Sequence, residues 1–330
     1  MKLRTIVAVM VVGVLAACGG GGTDEGSGGG SGKVSLTLNW IPYGEHAPFY
    51  YGVQQGFFED EGIDLEIRPG SGSSRTVEQV ASGKTTLGWA DTPPMLLGAG
   101  SGMPIKSIGV MLQKGPSSIE FFSSQGIDSP EDLKGKTVAG TPGDAMYASF
   151  PGWLRANGLS EDDVKVVNVD PAGKLAALIE GKTDAIMGFY QDQAPTIEHQ
   201  SGKQVDALRY RDWGMNLLGT GLVVSEKTID QNADMLKGFM RATVKSWQAA
   251  ADNPEQAVGA MAEMAQQEPP KEVLLKQLEL TLPMVMGDGV EIGVNDESSW
   301  QETIDLMAKY AELDDPKEPS EYWDGSFAPK

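Results

Sequence analysis

Val34-Ser35-Leu36-Thr37-Leu38-Asn39-Trp40-Ile41-Pro42-Tyr43-Gly44-Glu45-His46-Ala47-Pro48-Phe49-Tyr50 holds the reading that decides the fold. Residues 34–39 alternate apolar and polar, the two-residue period of a strand with one buried face. Residues 47–58 carry a helical pattern, and Gly62 closes it before a second strand at 63–68. The same beat continues outward. A helix is expected at 75–82, closed by Gly83, then a strand at 85–90, a short helix at 93–100 and a strand at 105–112. Strands separated by helices of this length predict βαβ units around mainly parallel sheets.

A second set of units starts at Ser129-Pro130-Glu131-Asp132-Leu133, where Ser129 suits an N-cap, Pro130 the first helical position and Asp132 the positive end of the helix dipole. Strands are expected at 137–139, 164–169 and 185–187, with helices at 144–157 and 174–180 between them. Residues 217–224 read as a strand that carries the chain back, and a run of helices follows from Ala233, with Pro254 at a helix start. Helices in series after alternating units predict packing onto the first lobe.

Upstream, Met1-Lys2-Leu3-Arg4 precedes an apolar run ending in Leu15-Ala16-Ala17-Cys18. The run falls short of the ~20 residues that cross a bilayer, so residues 1–17 are expected to be an export signal. Cys18 is the single cysteine of the chain. Placed at the end of a signal run and before a tether of Gly, Ser, Asp and Glu at 18–32, it reads as a lipid attachment point and not as a small core residue. The expected location is outside the cytoplasm, anchored to the membrane by that lipid.

About 300 residues remain beyond the tether, enough for two lobes with separate cores. The net charge is −20 over the whole chain and becomes more negative when Lys2 and Arg4 leave with the signal. Such a surface repels phosphate backbones, so nucleic-acid binding is excluded. With one cysteine and two histidines, His46 and His199, far apart in sequence, there is no disulfide framework and no spaced metal-ligand motif; no metal or cofactor is expected.

Candidate binding residues cluster where strands end, the side on which open α/β sheets hold ligands. Trp40, Tyr43 and His46 follow the first strand and offer flat faces and a switchable donor, although Trp40 and Tyr43 can equally plug the edge of the core. Trp89, Asp91 and Thr92 follow another strand. Gly140-Thr141-Pro142-Gly143-Asp144 opens a helix, where backbone N–H groups, the Thr141 hydroxyl and Asp144 can hold a polar group. Gly188-Phe189-Tyr190-Gln191-Asp192 sets the Tyr190 ring beside the Asp192 carboxylate. Gly72 and Ser73 lie in a Gly-Ser turn that lacks both the dinucleotide fingerprint and the Gly-Lys-Ser/Thr of a P-loop. The charge runs 59–61 and 161–163 read as exposed faces or caps.

Asn39-Trp40-x-Pro42 with His46-Ala47-x-Phe49-Tyr50, then Gly56-Phe57-Phe58 and Glu61-Gly62-Ile63-Asp64-Leu65, resembles the opening motif of the thiamine-biosynthesis branch of extracytoplasmic solute-binding proteins that serve ABC importers. Later segments, among them Asp132-Leu133-Lys134-Gly135-Lys136 and Gly181-x-x-Asp184-Ala185, are similar to the wider superfamily of sulfonate, taurine and nitrate binders. The resemblance implies an α/β, two-lobed periplasmic-binding-protein fold (type II) with two hinge crossings, near 116–119 and 220–224. Lobe 1 would comprise 33–117 and 224–330, and lobe 2 would comprise 118–223. It also implies a monomer that captures a small planar nitrogen heterocycle and delivers it to an ABC permease, with Trp40, Tyr43, His46, Trp89, Asp91 and Tyr190 at the matching positions. The alternatives are a sulfonate, taurine or nitrate binder, a riboflavin or aromatic-acid binder, and, in another class, a thiamine-pyrimidine synthase that consumes a histidine at the place of His46. That synthase depends on a cysteine-rich motif, and here no cysteine lies outside Cys18.

Overall fold

The computed structural model describes residues 32–265, 269–286, 291–311 and 313–329. The expected signal (1–17), Cys18 and the tether up to Ser31 lie outside the described residues; Gly32, assigned to the tether, already pairs in the first strand. The first set of units is β1 (Gly32–Thr37), α1 (Ala47–Gln54), β2 (Ile63–Arg68), α2 (Ser73–Ala81), β3 (Leu87–Asp91), α3 (Thr92–Gly100) and β4 (Ile105–Val110). The second is β5 (Ser117–Phe122), β6 (Thr137–Gly140), α4 (Ala145–Ala156), β7 (Lys165–Asn168), α5 (Gly173–Ile179), β8 (Ala185–Phe189), α6 (Gln193–Ser201) and β9 (Val205–Arg209). The chain then runs through β10 (Thr220–Ser225), α7 (Glu226–Asp252), α8 (Pro254–Met264), α9 (Lys271–Val285), α10 (Glu297–Tyr310) and α11 (Pro319–Tyr322).

Two five-stranded sheets result, ordered β2-β1-β3-β10-β4 and β7-β6-β8-β5-β9. In each, one strand next to the edge runs against the rest: β10 is antiparallel to β3 and β4, and β5 to β8 and β9. The reason is directional. Both reversed strands come directly after a passage from the other lobe, so each enters its sheet from the side on which the parallel strands end. Topology therefore aims the carboxyl ends of both sheets at one shared gap.

The passages differ from the expected crossings. Ser117 already pairs with Phe189 in the second sheet, and Thr220 with Asp91 in the first, so 220–224 is a strand of lobe 1 and not a crossing. The chain changes lobes within 111–116 and 214–219, where the two segments hold each other: Gly219 N–H donates to Leu112 C=O at 2.9 Å, and Leu112 N–H to Thr220 C=O at 3.0 Å.

A core of lobe 1 gathers around Leu36, Phe49, Trp89, Leu222, Phe239 and Trp247, all fully buried. Burial of each such side chain stabilises by about 1.5–3 kcal/mol. Helices α7, α8 and α9 cover this lobe as expected, but α10 packs on α4 of the second lobe, where Trp300, Ile304 and Met307 join Phe150 and Trp153 in one apolar cluster. Arg155 Nε fastens it by donating to Tyr310 C=O at 3.0 Å. Among the described residues no helix is long and apolar enough to cross a membrane.

Candidate functional site

A narrow cavity lies where the strand ends of the two lobes face one another. Lobe 1 contributes Asn39 and Trp40 after β1, Ser73 at the start of α2, and Asp91 at the end of β3; lobe 2 contributes Asp144 to Met146 at the start of α4, Lys174 on α5, and Phe189, Asp192 and Gln193 around the start of α6. The space between its walls is about 280 Å³, part of it open to solvent, and in this closed arrangement it has room for no more than a water or two. A ligand the size of one ring therefore enters only when the lobes part.

Hydrogen bonds fix the lobe 1 wall. Tyr43 N–H donates to His46 Nδ1 at 3.0 Å, which places the imidazole proton on Nε2. Nε2 lies 2.8 Å from Asn39 Oδ1 and 2.9 Å from Glu45 Oε1. Asn39 Nδ2 in turn donates to Asp91 Oδ2 at 3.4 Å, and the Ser73 and Thr220 hydroxyls donate to the Asp91 carboxylate at 2.6 Å each. Burial pushes Asp91 up to about 6 in spite of these donors.

Acidic groups dominate the electrostatics. Burial, with Glu45 close by, raises Asp192 well above the usual carboxylate range. Burial acts on Glu45 too, but the adjacent His46 and hydrogen-bond donors outweigh it and hold Glu45 below its ordinary value. The proton of this pair thus sits on Asp192. Glu120 on β5 is fully buried and pushed up to about 8 by desolvation, with Lys174 and Ser118 pulling the other way. Asp144 caps α4 by accepting Tyr147 N–H at 3.1 Å; burial raises it against the pull of Lys174, whose Nζ stands 3.0 Å from Oδ2. Lys174 is itself buried and lies 4.5 Å over the Trp40 ring. Burial thus favours the protonated form at Asp192 and, behind the wall, at Glu120, while Lys174 is paired with Asp144.

Of the residues singled out in the sequence, the fold brings Trp40, Ser73, Asp91, Asp144 and Asp192 to the cavity. Others serve elsewhere. Trp89 is a core residue, edge-on to Phe49 at 5.1 Å and tilted over Trp247 at 6.0 Å, so no face of it reaches the gap. Tyr190 lies under the Arg209 guanidinium at 4.1 Å, and its hydroxyl meets Met284 Sδ at 3.4 Å. Thr92 secures the hinge, donating to Gly219 C=O through Oγ1 at 2.7 Å and N–H at 3.0 Å. His46 is buried behind the wall it orients, and Tyr43 lines an outer groove with Ile41 and His199. Thr141 is buried beside the site, its Oγ1 without a partner among the described residues. Gly72 has φ +124, and a Cβ there would come within 2.7 Å of Gly143 O. Its turn lies against the 140–144 turn across the gap, where Ser74 N–H donates to Gly143 C=O at 3.0 Å. The two glycine turns hold one another.

Residues the sequence reading missed are Lys174, Phe189, Gln193 and Asn39 as members of the wall. Asn39 and Phe189 stood inside quoted stretches. Lys174 carried no signal beyond a lysine opening an apolar helix.

Two α/β lobes, each with one reversed strand, joined by two passages and closing on a polar cavity, define the periplasmic-binding-protein class. The ligand-binding component of an ABC-type import system from Staphylococcus aureus shares this fold, with a TM-score of 0.69 and 15% identity over 90% of this chain and 97% of that one. Within that class the chain belongs to the family described as NMT1/THI5 like, which matches residues 44–257. It is similar to a formylaminopyrimidine-binding protein of Halalkalibacterium halodurans, 24% identical over 292 residues, covering 86% of this chain and 87% of the relative. It is also similar to a riboflavin-binding protein of Chloroflexus aurantiacus, 26% identical over 309 residues, covering 90% and 86%.

Proposed function

We propose that the protein is a lipid-anchored solute-binding component of an ABC importer that captures a small planar nitrogen heterocycle, of the thiamine pyrimidine precursor kind, between its lobes and hands it to a membrane permease unchanged. The observation that carries this reading is the carboxyl-rich lining of the cavity: Asp91, Asp144 and Asp192 face it, and Lys174, the one cation among the described lining residues, is paired with Asp144. Carboxylates accept from exocyclic amines and ring N–H groups, and an Asp192 carboxyl that keeps its proton, as burial beside Glu45 favours, can donate to a ring nitrogen. The Trp40 ring supplies a flat apolar face, and aromatic stacking adds about 0.5–1.5 kcal/mol beyond burial. A sulfonate or nitrate would meet the Asp91 carboxylate and find the Lys174 ammonium already taken by Asp144, which disfavours the anion-binding alternative.

Thermal unfolding with formylaminopyrimidine, riboflavin and an alkanesulfonate tests the reading. A ligand at 100 times its Kd adds about 2.7 kcal/mol of stability, enough to move the midpoint measurably. Formylaminopyrimidine is expected to shift it, and mass spectrometry is expected to recover that compound unaltered. A shift with riboflavin alone would move the assignment to the flavin binder, a shift with the sulfonate alone to the anion binder, and a converted product to the enzyme. For the anchor, Cys18→Ser is expected to release the protein from the membrane fraction; retention in that fraction would remove the lipid assignment.

A further inference from the structure

Helix α9 lies beyond residues 44–257, the stretch that the family match covers. Its apolar side belongs to lobe 1: Leu274 and Leu278 are buried with Ala47, Tyr50 and Met261 in one cluster. The helix backbone rests directly on Gly44, where a Cβ would come within 2.2 Å of Leu274 O and 2.6 Å of Gln277 Cβ. Only glycine lets α9 approach so closely. Its other side reaches across to lobe 2.

Gln277 does most of that reaching. It is fully buried. Its Oε1 accepts Gly44 N–H at 2.8 Å, while Nε2 donates to Asp192 C=O at 2.7 Å and to Thr196 Oγ1 at 3.1 Å. The amide has one orientation, because turning it over would set Nε2 against the Gly44 N–H and Oε1 against the Asp192 carbonyl. Seven residues on, and so on the same helix face, Met284 Sδ accepts the Tyr190 hydroxyl of lobe 2. Asp192 itself lines the cavity, so this contact ties the ligand-facing loop of lobe 2 to a helix seated on lobe 1.

We propose that Gln277 is a positioning residue that latches the lobes together over the cavity, so that α9 sets how long a captured solute stays bound. The latch acts on dissociation: its two donor bonds form only as the lobes meet and must break before they part. Two net hydrogen bonds correspond to roughly a tenfold or greater change in the closed-to-open ratio.

The test uses the full chain and two measurements, of which only the second rests on the solute-binding reading. Hydrogen exchange without ligand is followed over residues 70–76, whose Ser74 N–H bonds to Gly143 across the gap. In Gln277→Ala, exchange there is expected to rise about tenfold while β3 and β8 stay protected. Stopped-flow release of formylaminopyrimidine is expected to quicken by about the same factor, with the association rate unchanged. Thr196→Val, which removes one acceptor and leaves α9 intact, should move both in the same direction by less. If Gln277→Ala also exposes β3 and β8, the helix is failing as packing, and Thr196→Val then decides. Unchanged exchange over 70–76 in whichever variant keeps its strands protected overturns the latch. If the wild type ignores formylaminopyrimidine but Gln277→Ala still frees residues 70–76, the latch stands and the ligand assignment falls.

Discussion

Replacing Lys174 by Met should weaken the fold in a way that depends on pH. The ammonium stands 3.0 Å from Asp144 Oδ2, with the two side chains 1% and 5% exposed, and 4.5 Å over the Trp40 ring. Methionine preserves most of the stem's packing, so the change removes chiefly the charge. At an effective dielectric of ~20, unit charges at that separation attract by roughly 5–6 kcal/mol before desolvation is counted. The net loss is capped lower, because the abandoned Asp144 can take up a proton. Neutralising a carboxyl of ordinary pKa ~3.9 costs about 4 kcal/mol at pH 7 and about 1.5 kcal/mol at pH 5. The lost cation–π contact adds about 0.5–2 kcal/mol at either pH.

The sign follows from linkage. In the variant the folded pKa of Asp144 lies above its unfolded value, so stability is full at low pH and is lost as pH climbs past the unfolded pKa. Urea denaturation of Lys174→Met against wild type should therefore show a deficit of about 4–6 kcal/mol at pH 7, smaller by up to about 2.7 kcal/mol at pH 5. Adding Asp144→Asn should recover much of it, since removing both charges leaves no bare ion in the interior. A deficit of equal size at both pH values would refute the pairing as the source of the effect.

Trp40→Ala and Asp91→Ala should each weaken binding of the cognate solute at least tenfold in calorimetry without unfolding the body; unchanged affinity in both would dissolve the site. Trp89→Ala should instead cost about 3–5 kcal/mol of stability, as deletion of a buried aromatic does, while the folded fraction keeps its affinity; denaturation and calorimetry together separate the two. Asp91→Asn should gain on wild type as pH rises from 4 to 7. Burial lifts Asp91 to about 6, so its contribution to stability is intact below its ordinary carboxylate range and fades as pH rises toward 6. Parallel stability–pH curves for the two proteins would contradict the burial argument.

How much was legible varies by element, for physical reasons. Strand β2 falls on the expected residues 63–68, because an alternating pattern between a glycine stop and a Gly-Ser turn admits few other readings. β5 and β9 went unread. In β5 residues 118–122 are buried without alternation and include a carboxylate, Glu120; β9 is a short edge strand with Asp206 and Arg209 in it, the kind of charge that blunts edges. Aromatic residues misled at Trp89 and Tyr190, since a ring at a strand end looks alike whether it faces a gap or a core. Lys174 stayed hidden because its role depends on Asp144, 30 positions earlier, and on Trp40 in the other lobe.

By itself the sequence determined two sets of βαβ units, the acidic surface, and the gathering of polar and aromatic residues at strand ends, because these follow from local periodicity and composition. Tertiary structure decided which of those residues share a wall, where the chain passes between lobes, and that a helix late in the chain bridges them through Gln277. Such pairings join residues up to 233 positions apart, as Gly44 and Gln277 are. No local pattern encodes them, because they exist only once packing has closed the chain on itself.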